Sequence, residues 1–165
     1  MSILPILQYP HPDLYRVCLP VEDIDDGVRT LTQDLVDTMR AAPGIGITGA
    51  HVGIFLRVFA LELPDWPGPR FYINPQILDY RGEPMHHTEG SVSMPGALED
   101  VLRPSVITLQ YQDIDGVQHH EEVAGFHATC IQHEIDQLDG IFWLKRLSRL
   151  KRDRLLKKWK RQKSG

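Results

Sequence analysis

Two adjacent residues, His133 and Glu134, open the half-motif H-E-x-x inside the stretch G-F-H-A-T-C-I-Q-H-E-I-D-Q-L-D-G, residues 125–140. In the full helical signature H-E-x-x-H, two imidazoles one turn apart converge on one metal ion while the glutamate moves protons. Here the fifth position is Gln137, so a ligand position carries an amide. The sequence therefore offers one imidazole and one carboxyl group for chemistry at this site. Ser91 could also pair with His133 as nucleophile and base, but the sequence supplies no evident third group to orient the imidazole. His127, three residues before Cys130, could join it on the helix but reads as a surface or supporting histidine, and the pairs His86-His87 and His119-His120 do not read as chelates, since neighbours in a strand point to opposite faces.

Phe126, Ile131, Ile135 and Leu138 recur at helical spacing between two glycines, which predicts a helix over 126–138. Val28, Leu31, Leu35 and Met39 predict an amphipathic helix near 27–41. Residues 3–20 read as irregular, punctuated by four prolines, and Pro43–Gly49 is glycine-dense. Strands are expected over 54–63 and 71–78. The segments 105–111 and 117–123 flank Asp113-Ile114-Asp115-Gly116, a hairpin signal. Leu147, Leu150, Leu155 and Trp159 are expected to form one stripe of a tail helix over 146–162. Strands followed by a central helix and a tail helix give an α+β fold with mostly antiparallel sheets.

The chain has 165 residues, 42% hydrophobic and 24% charged, which fits one soluble domain with a real core. The N-terminal residues carry no basic leader or long apolar run, so neither a signal peptide nor a membrane span is expected, and the expected location is cytoplasmic. Cys18 and Cys130 suit a reducing compartment. The net charge of −4 conceals a division. Residues 1–144 hold 7 arginines, no lysine and 21 acids, a net of −14, whereas residues 145–165 hold 11 basic residues and Asp153, a net of +10. A core domain over 1–144 with a basic helix over 145–165 follows, and that helix suits an anionic partner.

Three segments then align in order: G-I-G-I-T-G-A-H at 44–51, E-G-S-V-S-M-P-G at 89–96 and Q-H-E-I-D-Q-L-D-G at 132–140. Together they resemble the peptide deformylase motifs G-x-G-(L/I)-(A/S)-A-x-Q, E-G-C-x-S and Q-H-E-x-D-H-L-x-G. Y-P-H-P-x-L at 9–14, I-N-P at 73–75, V-L-R-P at 101–104 and Y-Q-D-I-D-G at 111–116 extend the resemblance over nearly the whole chain. The resemblance implies a deformylase-like fold around a central metal-motif helix. It also implies removal of the formyl group from the N-terminal methionine of nascent proteins. The family holds one divalent ion (Fe, Zn or Ni) on a cysteine and two histidines, positions that are Ser91, His133 and Gln137 here. Glu134 takes the general acid/base position, while His51 and the N–H of Val92 take the oxyanion positions. Peptide contacts fall on Gly44, Ile45, Gly46, Glu89, Gly90, Phe126, Thr129 and Cys130, with the glycines serving close backbone approach.

The substitutions change what that frame can do. Ser91 offers a mostly neutral hydroxyl where a thiolate would sit, and Gln137 offers an amide where an imidazole would sit. Borderline-soft ions prefer N and S donors, so the expectation is no resident metal, or one ion held on a rearranged set such as His51, His133 and Glu134. A metal lowers the pKa of its water from about 15.7 to about 7. Without it, Glu134 faces a deficit of about 9 units, or roughly 12 kcal/mol. Three readings stand: a deformylase-like pseudoenzyme that binds formylated or nascent N termini, an active hydrolase with a rearranged metal, and a ribosome-associated binder using the basic helix. No membrane or specific DNA partner is expected.

Overall fold

A computed structural model describes residues 2–164. Its order is helix α1 (Asp26–Ala41), strands β1 (Gly46–Thr48), β2 (Val58–Leu61), β3 (Arg70–Arg81), β4 (Met85–Ser91), β5 (Met94–Arg103), β6 (Val106–Gln112) and β7 (Gln118–Ala124), then α2 (Gly125–Leu138) and α3 (Arg149–Ser164). Short 3-10 turns occupy Pro12–Tyr15, Gly49–Val52 and Trp143–Arg146. Five strands form one antiparallel sheet in the order β1-β2-β3-β6-β7, and β4 and β5 form a separate antiparallel pair. The architecture is the α+β arrangement expected from the sequence.

Alternation along β2 explains the layering. All four of its residues are buried, because both faces of the sheet are covered. Val58 and Ala60 pack with Val28, Leu31, Leu35 and Met39 of α1. Phe59 and Leu61 face the other way, onto Ala128, Ile131, Ile135 and Leu138 of α2. The first turn of α1 is closed by Asp25, whose side chain accepts the Val28 N–H at 3.0 Å.

α2 is enclosed on every side: each residue from Ala128 to Leu138 is buried. Its polar residues Gln132, His133, Glu134, Asp136 and Gln137 are therefore buried too, and each must find a partner inside the protein or a ligand. The helix begins at Gly125, whose N–H donates to the Ser105 carbonyl at 2.8 Å. Gly140 (φ +76°) follows its C-terminal end, where a Cβ would lie 2.6 Å from the Tyr15 carbonyl oxygen. Only glycine permits that crossing of the N-terminal segment over the helix end.

The tail differs from expectation in one respect. Leu155 and Trp159 are buried against β5 and the Phe142–Leu144 segment, and the Trp159 Nε1–H donates to the Pro95 carbonyl at 3.1 Å. Leu147 is buried as well, but it precedes the helix. Leu150 is 72% exposed and belongs to no stripe. The reason is the spacing inside α3 (Arg149–Ser164): Leu155 and Trp159 are one turn apart on one face, whereas Leu150, five residues before Leu155, falls on roughly the opposite side of the helix. Gly165, the last residue of the expected tail segment, lies outside the described residues.

Candidate active site

The site assembles where β1, β4 and the middle of α2 meet. Gly46 lies beside α2: a Cβ there would sit 2.5 Å from Glu134 Oε2 and 2.8 Å from Leu61 Cδ2. A side chain at 46 would have to displace the carboxyl group. Two further glycines carry similar constraints, Gly44 against Val92 Cγ1 and Gly90 against Leu98 Cδ2, each at under 3 Å from an added Cβ.

One cavity of about 420 Å³ opens here. It is lined by Gly44, Ile45, Gly46 and His51 from the first motif, and by Glu89, Gly90, Ser91 and Val92 from the second. Phe126, Thr129, Cys130, His133 and Glu134 complete it from α2. Thus the structure brings together every candidate residue except Gln137. Met94 and Pro95, at the end of the second segment but not among its expected contacts, line the same cavity from β5 with Ala97 and Leu98, which fall outside every motif. Their apolar types after Ser93 were the available signal, but β4 and β5 lack a clean alternating pattern because the pair buries only part of each face.

His133 is held firmly. Its Nδ1 donates to Glu89 Oε1 at 2.8 Å, and Arg103 forks onto the same carboxylate, with Nε–Oε2 at 2.6 Å and a second contact at 3.0 Å. Arg103 also donates to Asp136 at 2.9 Å, and Asp136 is clamped by Arg146 through contacts of 2.9 and 2.8 Å. Burial works against the Glu89 charge, yet His133 and Arg103 more than offset it and hold its pKa down to about 2. Burial also opposes charge on His133, but the Glu134 and Glu89 carboxyl groups keep its pKa above the ordinary histidine value. Glu89 is the orienting group for His133 that the sequence did not reveal. Ser91, however, accepts the Ser93 N–H at 3.0 Å and no Ser91–His133 hydrogen bond is present.

Glu134 has the opposite environment. Burial pushes its pKa up to about 7, with the Glu89 charge adding to the rise and His133 opposing it. Its Oε1 is buried without a hydrogen-bond partner. His51 is placed by a reciprocal cap on the Gly49–Val52 turn: the Thr48 hydroxyl accepts the His51 N–H at 3.3 Å, and His51 Nδ1 accepts the Thr48 N–H at 2.9 Å. Burial, aided by repulsion from His133, drops the His51 pKa to about 3, so the ring is neutral. Burial lifts the Cys130 thiol to about 12, with Glu134 adding to the rise, which makes it a wall residue rather than a nucleophile. His127 lies 3.2 Å from the Tyr72 hydroxyl and edge-on to Trp66.

Gln137 is placed elsewhere. Its Nε2 donates to the buried Leu14 carbonyl at 2.7 Å, tying α2 to the N-terminal segment across the sequence. The three residues expected as ligands, His133, Ser91 and Gln137, thus supply one imidazole, one hydroxyl already accepting a backbone N–H, and one amide committed to Leu14. Among the described residues, no group of three or more His, Cys, Asp or Glu is placed to hold a metal ion, so the set His51, His133 and Glu134 does not form one. This donor set does not fit a borderline-soft divalent ion.

Comparison with known proteins settles the family. The polypeptide deformylase family profile matches residues 3–153. This chain belongs to that family. A peptide deformylase-like protein of Agrobacterium fabrum is 59% identical over 165 residues, covering 99% of each chain. Another from Brucella melitensis is 53% identical, covering 98% of each. The crystal structure of the Ehrlichia chaffeensis peptide deformylase in complex with actinonin superposes with a TM-score of 0.90 at 36% identity, covering 98% of both chains. The fold is that of peptide deformylases, a metal-dependent hydrolase family. No helix among the described residues is long and apolar enough to cross a membrane.

The buried network carries a stability prediction. Glu89 titrates at about 2 in the folded protein against 4.5 ordinarily, so its contribution is full above pH 4.5 and is lost as pH falls toward 2. Arg103→Met leaves Glu89 with only His133 as a charged partner and should cost roughly 3–5 kcal/mol at pH 7. Urea unfolding at several pH values checks both expectations: the wild type should lose stability between pH 4.5 and 2, and the variant should already be weakened at neutral pH.

Proposed function

We propose that this protein binds peptide N termini in the deformylase cavity, with formyl removal lost or strongly reduced. The observation that carries this reading is the contrast at α2. The candidate peptide contacts converge on one cavity, while Gln137 is turned away to Leu14. β1 is an edge strand of the five-stranded sheet, so a peptide can add alongside Gly44–Ile47 by strand pairing. The first side chain then enters the space walled by Ile45, Phe126, Thr129 and Cys130. Phe126 and Ile45 are partly exposed at its mouth, as expected of groups waiting for an apolar partner.

The residues can bind and orient such a peptide, and Glu134 can exchange a proton near neutral pH. They do not generate a strong nucleophile from water. Measured with a formyl-Met peptide, kcat/KM should fall roughly a thousandfold or more below that of a metal-loaded deformylase. Any residual rate should disappear in Glu134→Ala. Turnover at the rate of a metal-loaded deformylase would overturn the reading and favour a hydrolase with a rearranged metal.

A second reading concerns α3. It carries basic residues along its length, a single acid at Asp153, and only two buried side chains, Leu155 and Trp159, so most of its charge faces solvent. We propose that this surface associates with the RNA-rich ribosome in the cytoplasm, placing the cavity where nascent N termini emerge. A variant with Lys157, Lys158, Lys160 and Arg161 changed to Gln should lose co-sedimentation with ribosomes at low salt while keeping its fold. Unchanged co-sedimentation would contradict this.

A further inference from the structure

A second cavity, of about 250 Å³, lies beside another face of α2 and shares no lining residue with the first. Gln132 and Asp136, one helical turn apart, reach it from α2. Arg103 and Arg146 supply its charge, and Tyr80, Leu102 and Pro104 supply its apolar surface. The polar side is already organised. Asp136 accepts from Arg103 Nη1 at 2.9 Å and from Arg146 Nε and Nη2 at 2.9 and 2.8 Å. Arg103 spends its remaining nitrogens on Glu89, and the Gln132 amide donates to the Pro104 carbonyl at 2.9 Å. Two carboxylates thus balance two guanidiniums, and what the lining still offers is donor capacity.

That capacity sits on two groups. A guanidinium has five N–H donors, of which Asp136 takes two from Arg146, and Nη1 has no partner among the described residues. The Tyr80 hydroxyl makes no hydrogen bond to another described residue either. Burial raises the Tyr80 pKa, with Asp136 adding to the rise and Arg146 opposing it, so the phenol keeps its proton and can donate.

We propose that this cavity binds a small monocarboxylate with an apolar body, the carboxylate on Arg146 Nη1 and the Tyr80 hydroxyl, the body against Leu102 and Pro104. A carboxylate presents two acceptor oxygens, and its bonds to a guanidinium are of the stronger, charge-assisted kind. Asp136, itself anchored by Arg103, holds the Arg146 fork in place, so little freedom is lost on binding. A doubly charged phosphate would find no further unpaired cation and would face Asp136. A cationic ligand would meet two guanidiniums, and a wholly apolar one would leave both donors unpaired. Leu102 is 52% exposed and Tyr80 55%, so an apolar body gains by covering them. The volume suits a ligand smaller than drug-sized. The site is independent of whatever the first cavity binds.

The test is titration of the whole protein with benzoate, benzamide and inorganic phosphate, followed by ¹⁵N NMR. Benzoate should bind saturably at one site, with its largest shifts at the Arg146 Nε–H and the Tyr80 amide. It should bind at least roughly tenfold more tightly than benzamide, its neutral isostere, and more tightly than phosphate. Arg146→Gln should lower benzoate affinity roughly tenfold or more. Tyr80→Phe removes a hydroxyl without a partner in the chain, so the fold should stand while benzoate affinity drops roughly tenfold. No saturable binding, equal affinity for benzoate and benzamide, or tighter binding of phosphate would overturn the inference. So would affinity that Tyr80→Phe leaves unchanged, or shifts confined to the first cavity.

Discussion

Burial of the Glu89 carboxylate is the constraint from which the rest of the site follows. A charge in that position needs several partners at once, and Arg103 supplies most of them. Its fork grips Glu89, its remaining nitrogen reaches Asp136, and Asp136 in turn holds Arg146. Through these contacts β4, β5, α2 and the segment leading into α3 share one electrostatic knot. His133 is fastened to the same carboxylate, so its ring direction is set before any ligand arrives. Replacement of all these groups by apolar ones could keep the fold stable, whereas removal of one leaves a buried charge unpaired. The site thus rests on a network made of the chain's own side chains.

On that fixed frame, Gln137 and Ser91 each have a backbone partner. Gln137 ties α2 to Leu14, beside the crossing at Gly140. Ser91 turns its oxygen to the Ser93 N–H. Both bonds satisfy backbone groups that would otherwise be buried unpaired. His51 follows the same logic, serving first as the cap of a short turn.

Much of this was legible in the sequence. The period of Val28, Leu31, Leu35 and Met39 located α1, and Asp113–Gly116 located the β6–β7 turn, because both depend on local pattern. The three glycine- and histidine-bearing segments marked the cavity walls. What escaped was non-local. The role of Arg103 depends on three elements meeting, and the orientation of Gln137 depends on Leu14. The β4–β5 pair was missed because its partly exposed faces dilute the alternation that identifies strands.

The measurement that bears most directly on the account is elemental analysis of the protein purified anaerobically without a metal-binding tag. The account predicts far less than one divalent ion per chain, because His133 is the one unencumbered soft donor among the family's ligand positions. Close to one Zn, Fe or Ni per chain would contradict it, and would mean that Gln137 leaves Leu14 or that His51 gives up its cap to reach an ion.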